Sequence, residues 1–143
     1  MSPDAIQARF VDEIKLRAYD DRYIDKNEER EILQIAIQHG MAIDAARADL
    51  ATVCDQNGYV LESTLIQRIR GQAESAVAAT GHLEREAFDR IFADARAAVQ
   101  GRKNDRELKK IIVLVLEDAG LNRVKAGWFT DWYAALKRDL GLS

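Results

Sequence analysis

The 143-residue chain has one proline, one cysteine and two histidines. So little proline leaves almost nothing to break a helix, because proline removes a backbone donor and clashes with the preceding turn. A single cysteine, Cys54, excludes an internal disulfide. His39 and His82 lie far apart, each beside a glycine that ends a helical pattern. A histidine near a helix C-terminus fits a favourable dipole contact better than acid–base work. No apolar run approaches the ~20 residues needed to cross a bilayer. The N-terminal MSPDAIQARF has no basic region followed by an apolar core, so no secretory signal is expected. No P-loop, GxGxxG, HExxH or CxxC pattern occurs, which leaves nucleotide and structural-zinc chemistry without an anchor. These absences together predict a cytoplasmic location, no membrane contact and no enzyme activity.

What is present is helix-forming. Ala, Leu, Glu, Arg and Gln dominate, and 48% of residues are apolar, enough for a proper core. The length fits one domain, taken as residues 1–143. Net charge is −3, but it is unevenly spread. Residues 1–50 hold eleven Asp and Glu against seven Lys and Arg, whereas residues 101–143 hold six against nine. Either end has the charge to dock a partner.

Glycines supply most of the punctuation. Gly40, Gly58, Gly81, Gly101, Gly120 and Gly141 each follow an apolar-periodic stretch, where a left-handed residue would end a helix. Gly71 and Gly127 have no such place; Gly71, inside a helical pattern, predicts close packing or a kink. The first helix is expected from about Pro3 to Tyr19 on the stripe Ile6, Phe10, Ile14 and Ala18. The second follows Asp25, whose partner three residues on, Glu28, completes a capping box. A third is expected to start at Asp44 as N-cap. A fourth and fifth cover about Ser63 to Ala79 and Glu84 to Gln100. The sixth opens with Asn104 and Glu107 and contains the aliphatic run Ile111–Leu116. That run suits a buried strand as well, but the capping pair and the charged flanks favour helix. A seventh runs from about Thr130 to Leu140, with a short helical turn near Asn122 to Ala126. The fold class expected is all-α, a single compact bundle of about seven helices.

The most distinctive stretch is acidic. Asp20, Asp21, Asp25, Glu28, Glu29 and Glu31 fall close together around the short apolar pair Tyr23-Ile24. Weaker copies of this corner occur at residues 57–62 and 80–84. A Ca²⁺ loop needs oxygen ligands at alternating positions, a glycine at the sharp turn and a bidentate acid at its end. With Ile24 in the usual aliphatic place and Glu28 as the closing acid, Arg17 and Tyr19 fall on the first and third ligand positions and Arg22 on the glycine. The simpler reading is that these carboxylates cap a helix and oppose its dipole. The divalent-cation alternative rests on Asp20, Asp21, Asp25, Glu28 and Glu29; no other cofactor is expected.

The run from Asp21 to Ile32, followed by an aliphatic helix and Gly40, resembles the TerB-like helical domains. These include tellurite-resistance proteins and the N-terminal domain of a membrane-anchored DnaJ co-chaperone. Asp21, Ile24, Asp25, Glu28 and Glu29 match the shared pattern of a turn, an aliphatic, an acid and a Glu-Glu helix start. Arg22 departs from it, because the family usually has glycine there. The resemblance covers about residues 10–40. It implies an all-helical fold, an acidic patch suited to metal, and a role in protein assembly rather than catalysis.

Two late features remain. Arg102, Lys103, Arg106, Lys109 and Lys110 cluster at the start of the sixth helix, and Arg123 and Lys125 follow its end. The overall acidity argues against a nucleic-acid footprint, which stays a weaker alternative. Trp128, Phe129, Trp132 and Tyr133 lie within six residues. Trp132 is expected to be mostly buried. Trp128, with Arg123 and Lys125, is expected to form a partner surface. The function expected is a cytoplasmic interaction or adaptor domain, stress-related if it follows the tellurite-resistance proteins, with another protein as partner.

Overall fold

The computed structural model describes residues 2–124 and 131–142. Their secondary structure is seven helices and one two-stranded ladder: α1 (Pro3–Arg17), β1 (Tyr23–Ile24), α2 (Lys26–Gln38), α3 (Ile43–Asn57), β2 (Val60–Leu61), α4 (Glu62–Thr80), α5 (Arg85–Val99), α6 (Asp105–Asp118) and α7 (Trp132–Asp139). The all-α fold class expected from the sequence is therefore present. Contacts divide the chain into two compact units, Met1–Thr64 and Leu65–Ser143.

In the first unit, Ser2 caps α1 by accepting the Ala5 N–H at 3.2 Å, and Pro3 opens the helix where its missing donor costs nothing. Phe10 and Ile14 are buried, as is Ala18 just past the helix. The chain then turns so that Ile24 enters the core. The Asp25 carboxylate accepts the Glu28 N–H at 2.8 Å, and the Glu28 carboxylate accepts the Asp25 N–H at 3.2 Å. This is the expected capping box, and it starts α2 with Ile32, Leu33 and Ala36 facing inward. The start of α3 differs from expectation. Ala42, not Asp44, is the N-cap, and it makes no side-chain cap bond. The Met41 N–H still closes α2 on the Ala36 carbonyl, so α3 follows almost at once and Asp44 falls in its first turn. There its charge opposes the helix dipole without capping. The closing helix carries Ala46, Leu50, Val53 and Cys54 into the same core. β1 and β2 pair in parallel, Tyr23 opposite Val60 and Ile24 opposite Leu61.

In the second unit, α5 packs on α6. The Ile111–Leu116 run is helical. Ile112, Val113, Val115 and Leu116 are buried while Leu114 is 56% exposed, a helical rather than an alternating pattern. Asn104 caps it as expected, accepting the Glu107 N–H at 2.8 Å. On α7 the buried aromatic is Tyr133, whose hydroxyl donates to Glu117 at 3.2 Å. Trp132 is only half-buried, contrary to expectation; it lies 5.6 Å from Phe88, ring centre to ring centre. Residues 121–124 are not helical, so the extra turn expected there does not begin by Val124.

The second unit repeats the first. Phe10, Ile14 and Ala18 correspond at one constant spacing to Ile69, Ala73 and Val77; Ile24, Ile32 and Ala36 correspond at the same spacing to Leu83, Ile91 and Ala95. Ala46, Leu50, Val53 and Cys54 match Leu108, Ile112, Val115 and Leu116. The corners agree too. The Val60 N–H bonds the Arg22 carbonyl at 2.9 Å, and the Leu83 N–H bonds the Arg123 carbonyl at 2.6 Å. Arg22 (φ 55°) and Gly81 (φ 80°) occupy the same left-handed position in the two copies.

Candidate functional site

The acidic corner is built by the end of α1, β1, the first turn of α2 and the first turn of α4. Its carboxylates are committed to separate tasks. Asp21 accepts the Tyr23 N–H at 3.1 Å, which tightens the turn before β1. Asp25 and Glu28 satisfy each other's backbone donors. Glu29 accepts the Ser63 hydroxyl at 3.1 Å, and Glu62 accepts the Lys26 N–H at 3.2 Å. Asp20 is exposed. Glu31 pairs with Arg17, which also bonds Glu13 at 3.0 Å. Among the described residues no three of His, Cys, Asp or Glu are grouped so as to hold a metal ion.

Electrostatics follow from this crowding. Burial raises the Glu28 carboxyl above its ordinary range, and the neighbouring Asp25 and Asp21 charges push the same way. The Tyr23 phenol is buried beside Glu62 and Asp25, and desolvation first, then those carboxylates, raises it. Burial lifts the Cys54 thiol to about 11, with Glu29 adding to it. Cys54 is 3% exposed, the inert thiol expected from its place on the apolar side of α3.

Arg22 completes the corner. Its backbone stands where a glycine would be comfortable, and its side chain returns something for that. The guanidinium donates to the Asn57 carbonyl at 2.7 Å and lies 5.8 Å from the centre of the Tyr59 ring. It thereby ties the first corner to the second.

Beside the corner is a feature the sequence pattern did not flag. Leu16 and Tyr19 are 69% and 81% exposed. The Tyr19 N–H bonds the Leu16 carbonyl at 3.3 Å, so one side chain follows the other a turn later. Exposed Asp12 precedes them by one turn, and Asp20 and Asp21 follow. Helical periodicity had assigned α1 a single buried stripe and gave no signal for a second apolar pair.

The other expected sites fare unevenly. Arg123 is exposed; Lys125 and Trp128 lie outside the described residues. The basic residues opening α6 act one at a time: Arg106 donates to the Asp139 carbonyl at 2.5 Å, Lys103 pairs with Glu107 at 3.8 Å, and Lys109 sits 4.8 Å from the centre of the Phe92 ring. His39 is the exposed C-cap of α2, and the half-buried His82 ring contacts only the nearby Thr80 carbonyl at 3.3 Å. No helix among the described residues is long and apolar enough to cross a membrane. No family model matches the chain, and no curated protein or solved structure does.

Proposed function

We propose that this chain is a non-catalytic, cytoplasmic protein-interaction domain whose acidic first unit takes a basic amphipathic helix of a partner protein. The observation that carries the reading is the exposed pair Leu16 and Tyr19. Two large apolar side chains left in water beside carboxylates form a small hydrophobic centre with a charged rim, the anatomy of a docking patch. The first unit strengthens the charge side: residues 1–64 hold thirteen Asp and Glu against seven Lys and Arg, a net of −6. Such a field attracts basic segments and speeds their encounter. A TerB-like relationship and a stress-related role belong to the same proposal. Arg22 supports the relationship, because it holds the left-handed backbone at the place where that family carries glycine.

The probe is a fluorescent helical peptide with leucine on one face and lysine on the other. Anisotropy should report binding that weakens with salt and falls at least about tenfold in the double variant Leu16→Ser, Tyr19→Ser. Both residues are exposed, so circular dichroism should show the fold intact. Binding that is absent in the natural chain, or unchanged in the double variant, would overturn the reading.

A further inference from the structure

Gly71 lies inside α4, where glycine costs about 1 kcal/mol relative to alanine. Close packing is the usual compensation. A Cβ placed at Gly71, however, would meet nothing within 4 Å among the described residues. The missing side chain instead leaves open the floor of a groove between α4 and α5. The wider part, of about 600 Å³, runs over Gly71 past Arg68 and Arg90, and a recess of about 250 Å³ continues between Ala76, Ala87 and Ile91. All of it lies within the second unit.

Two polar groups in this groove have unspent capacity. The first is Gln72, which lines both parts. Its amide nitrogen donates to Asp94 at 2.8 Å, and Asp94 also holds Arg68 through bonds of 2.5 and 2.6 Å. Asp94 is ionised and can only accept, its carboxyl held below the usual range chiefly by Arg68. The amide orientation is therefore fixed, and its oxygen is buried without a hydrogen-bond partner among the described residues. A buried acceptor left unmade is expensive, so this oxygen calls for an N–H. The second group is Arg90. It is exposed on α5 and has no ion pair or hydrogen bond among the described residues.

We infer that this groove binds a segment of an acidic partner protein in extended form. The groove asks for three things at once: an N–H for the Gln72 oxygen, an anion for Arg90, and a small apolar group for the recess at Ala76, Ala87 and Ile91. An extended peptide with alternating small and acidic side chains supplies all three, because its backbone carries donors and successive side chains point to opposite sides. Gly71 lets that backbone approach the helix closely. The charge agrees: residues 65–143 hold fourteen Lys and Arg against eleven Asp and Glu. A nucleic-acid strand fits worse, since Arg68 is already neutralised by Asp94 and only Arg90 remains to meet a run of phosphates. The inference stands apart from the Leu16–Tyr19 patch and survives its failure.

The test uses the full chain, labelled with ¹⁵N, and a capped octapeptide alternating alanine and glutamate. Titration should move the amide signals of residues 67–76 and 87–91. Affinity should fall at least about tenfold in Arg90→Glu and again in Gly71→Leu, whose side chain fills the floor. Gly71→Leu should melt no lower than the natural chain, because leucine is the better helix former. That separates loss of binding from loss of fold. Four outcomes would overturn the inference: no shifts at millimolar peptide; equal binding in both variants; tighter binding of oligothymidylate at the same residues; or a dimer in sedimentation that Gly71→Leu dissolves, since a second copy would then be the occupant.

Discussion

Arg22 offers the sharpest test of the corner geometry. Its φ of 55° places a β-carbon where L-residues are strained by about 1 kcal/mol or more. Its side chain opposes that strain. The bond to the Asn57 carbonyl contributes about 0.5–1.5 kcal/mol, and the contact with the Tyr59 ring about 0.5–1 kcal/mol at an exposed site. Arg22→Ala removes the side chain and keeps the strain, so it should cost about 1–2 kcal/mol. Arg22→Gly removes both. Its relief is partly offset by a more flexible unfolded chain, so it should cost about 1 kcal/mol less than alanine. The second unit supplies the control. Gly81 has the same conformation and no atom within 4 Å of a built Cβ, so Gly81→Ala reports the backbone penalty alone, about 1 kcal/mol. Urea denaturation followed by circular dichroism measures all three variants. If Arg22→Ala proves as stable as Arg22→Gly, the backbone is not left-handed there and the reasoning fails.

Two further predictions follow from burial and charge. With its thiol lifted to about 11, Cys54 is almost wholly protonated at neutral pH, so iodoacetamide should modify the folded chain orders of magnitude more slowly than the chain in urea; equal rates would place Cys54 at the surface. Asp94 has a folded-state pKa below its unfolded value, so its contribution is full above the ordinary carboxylate range and disappears as pH falls through the folded value. Asp94→Asn should melt below the natural chain near neutral pH and converge with it in strong acid; a constant gap across that range would mean the pair with Arg68 does not titrate as its geometry requires.

The features legible in the sequence were the local ones. Asp25 with Glu28, and Asn104 with Glu107, declare helix starts within four residues, and Gly58 or Gly120 declares an end in one. The same local logic misplaced the start of α3. Asp44 has the chemistry of a cap, but the short link after Gly40 sets the start one residue too early for it. Distant partners explain the remaining misses. Tyr133 rather than Trp132 turns inward because Glu117, on another helix, receives its hydroxyl. Glu29 is drawn away from its acidic neighbours by Ser63, which no spacing rule connects to it. The groove could not be read at all: Gln72 becomes an orphaned acceptor only once Asp94 is brought beside its nitrogen.

The internal repeat has a consequence for how the two cores tolerate change. At matched buried positions, bulk is divided differently. The first copy is large on its opening helix, with Phe10 and Ile14, and small on its closing helix, with Ala46 and Cys54. The second copy reverses this: Ile69 and Ala73 open, Leu108 and Leu116 close. Interiors are packed tightly enough that one methylene is felt. A residue transplanted singly from one copy to its counterpart therefore either opens a void or forces an overlap, and only exchanges made in compensating pairs preserve the filling. The two halves share a plan without sharing spare parts.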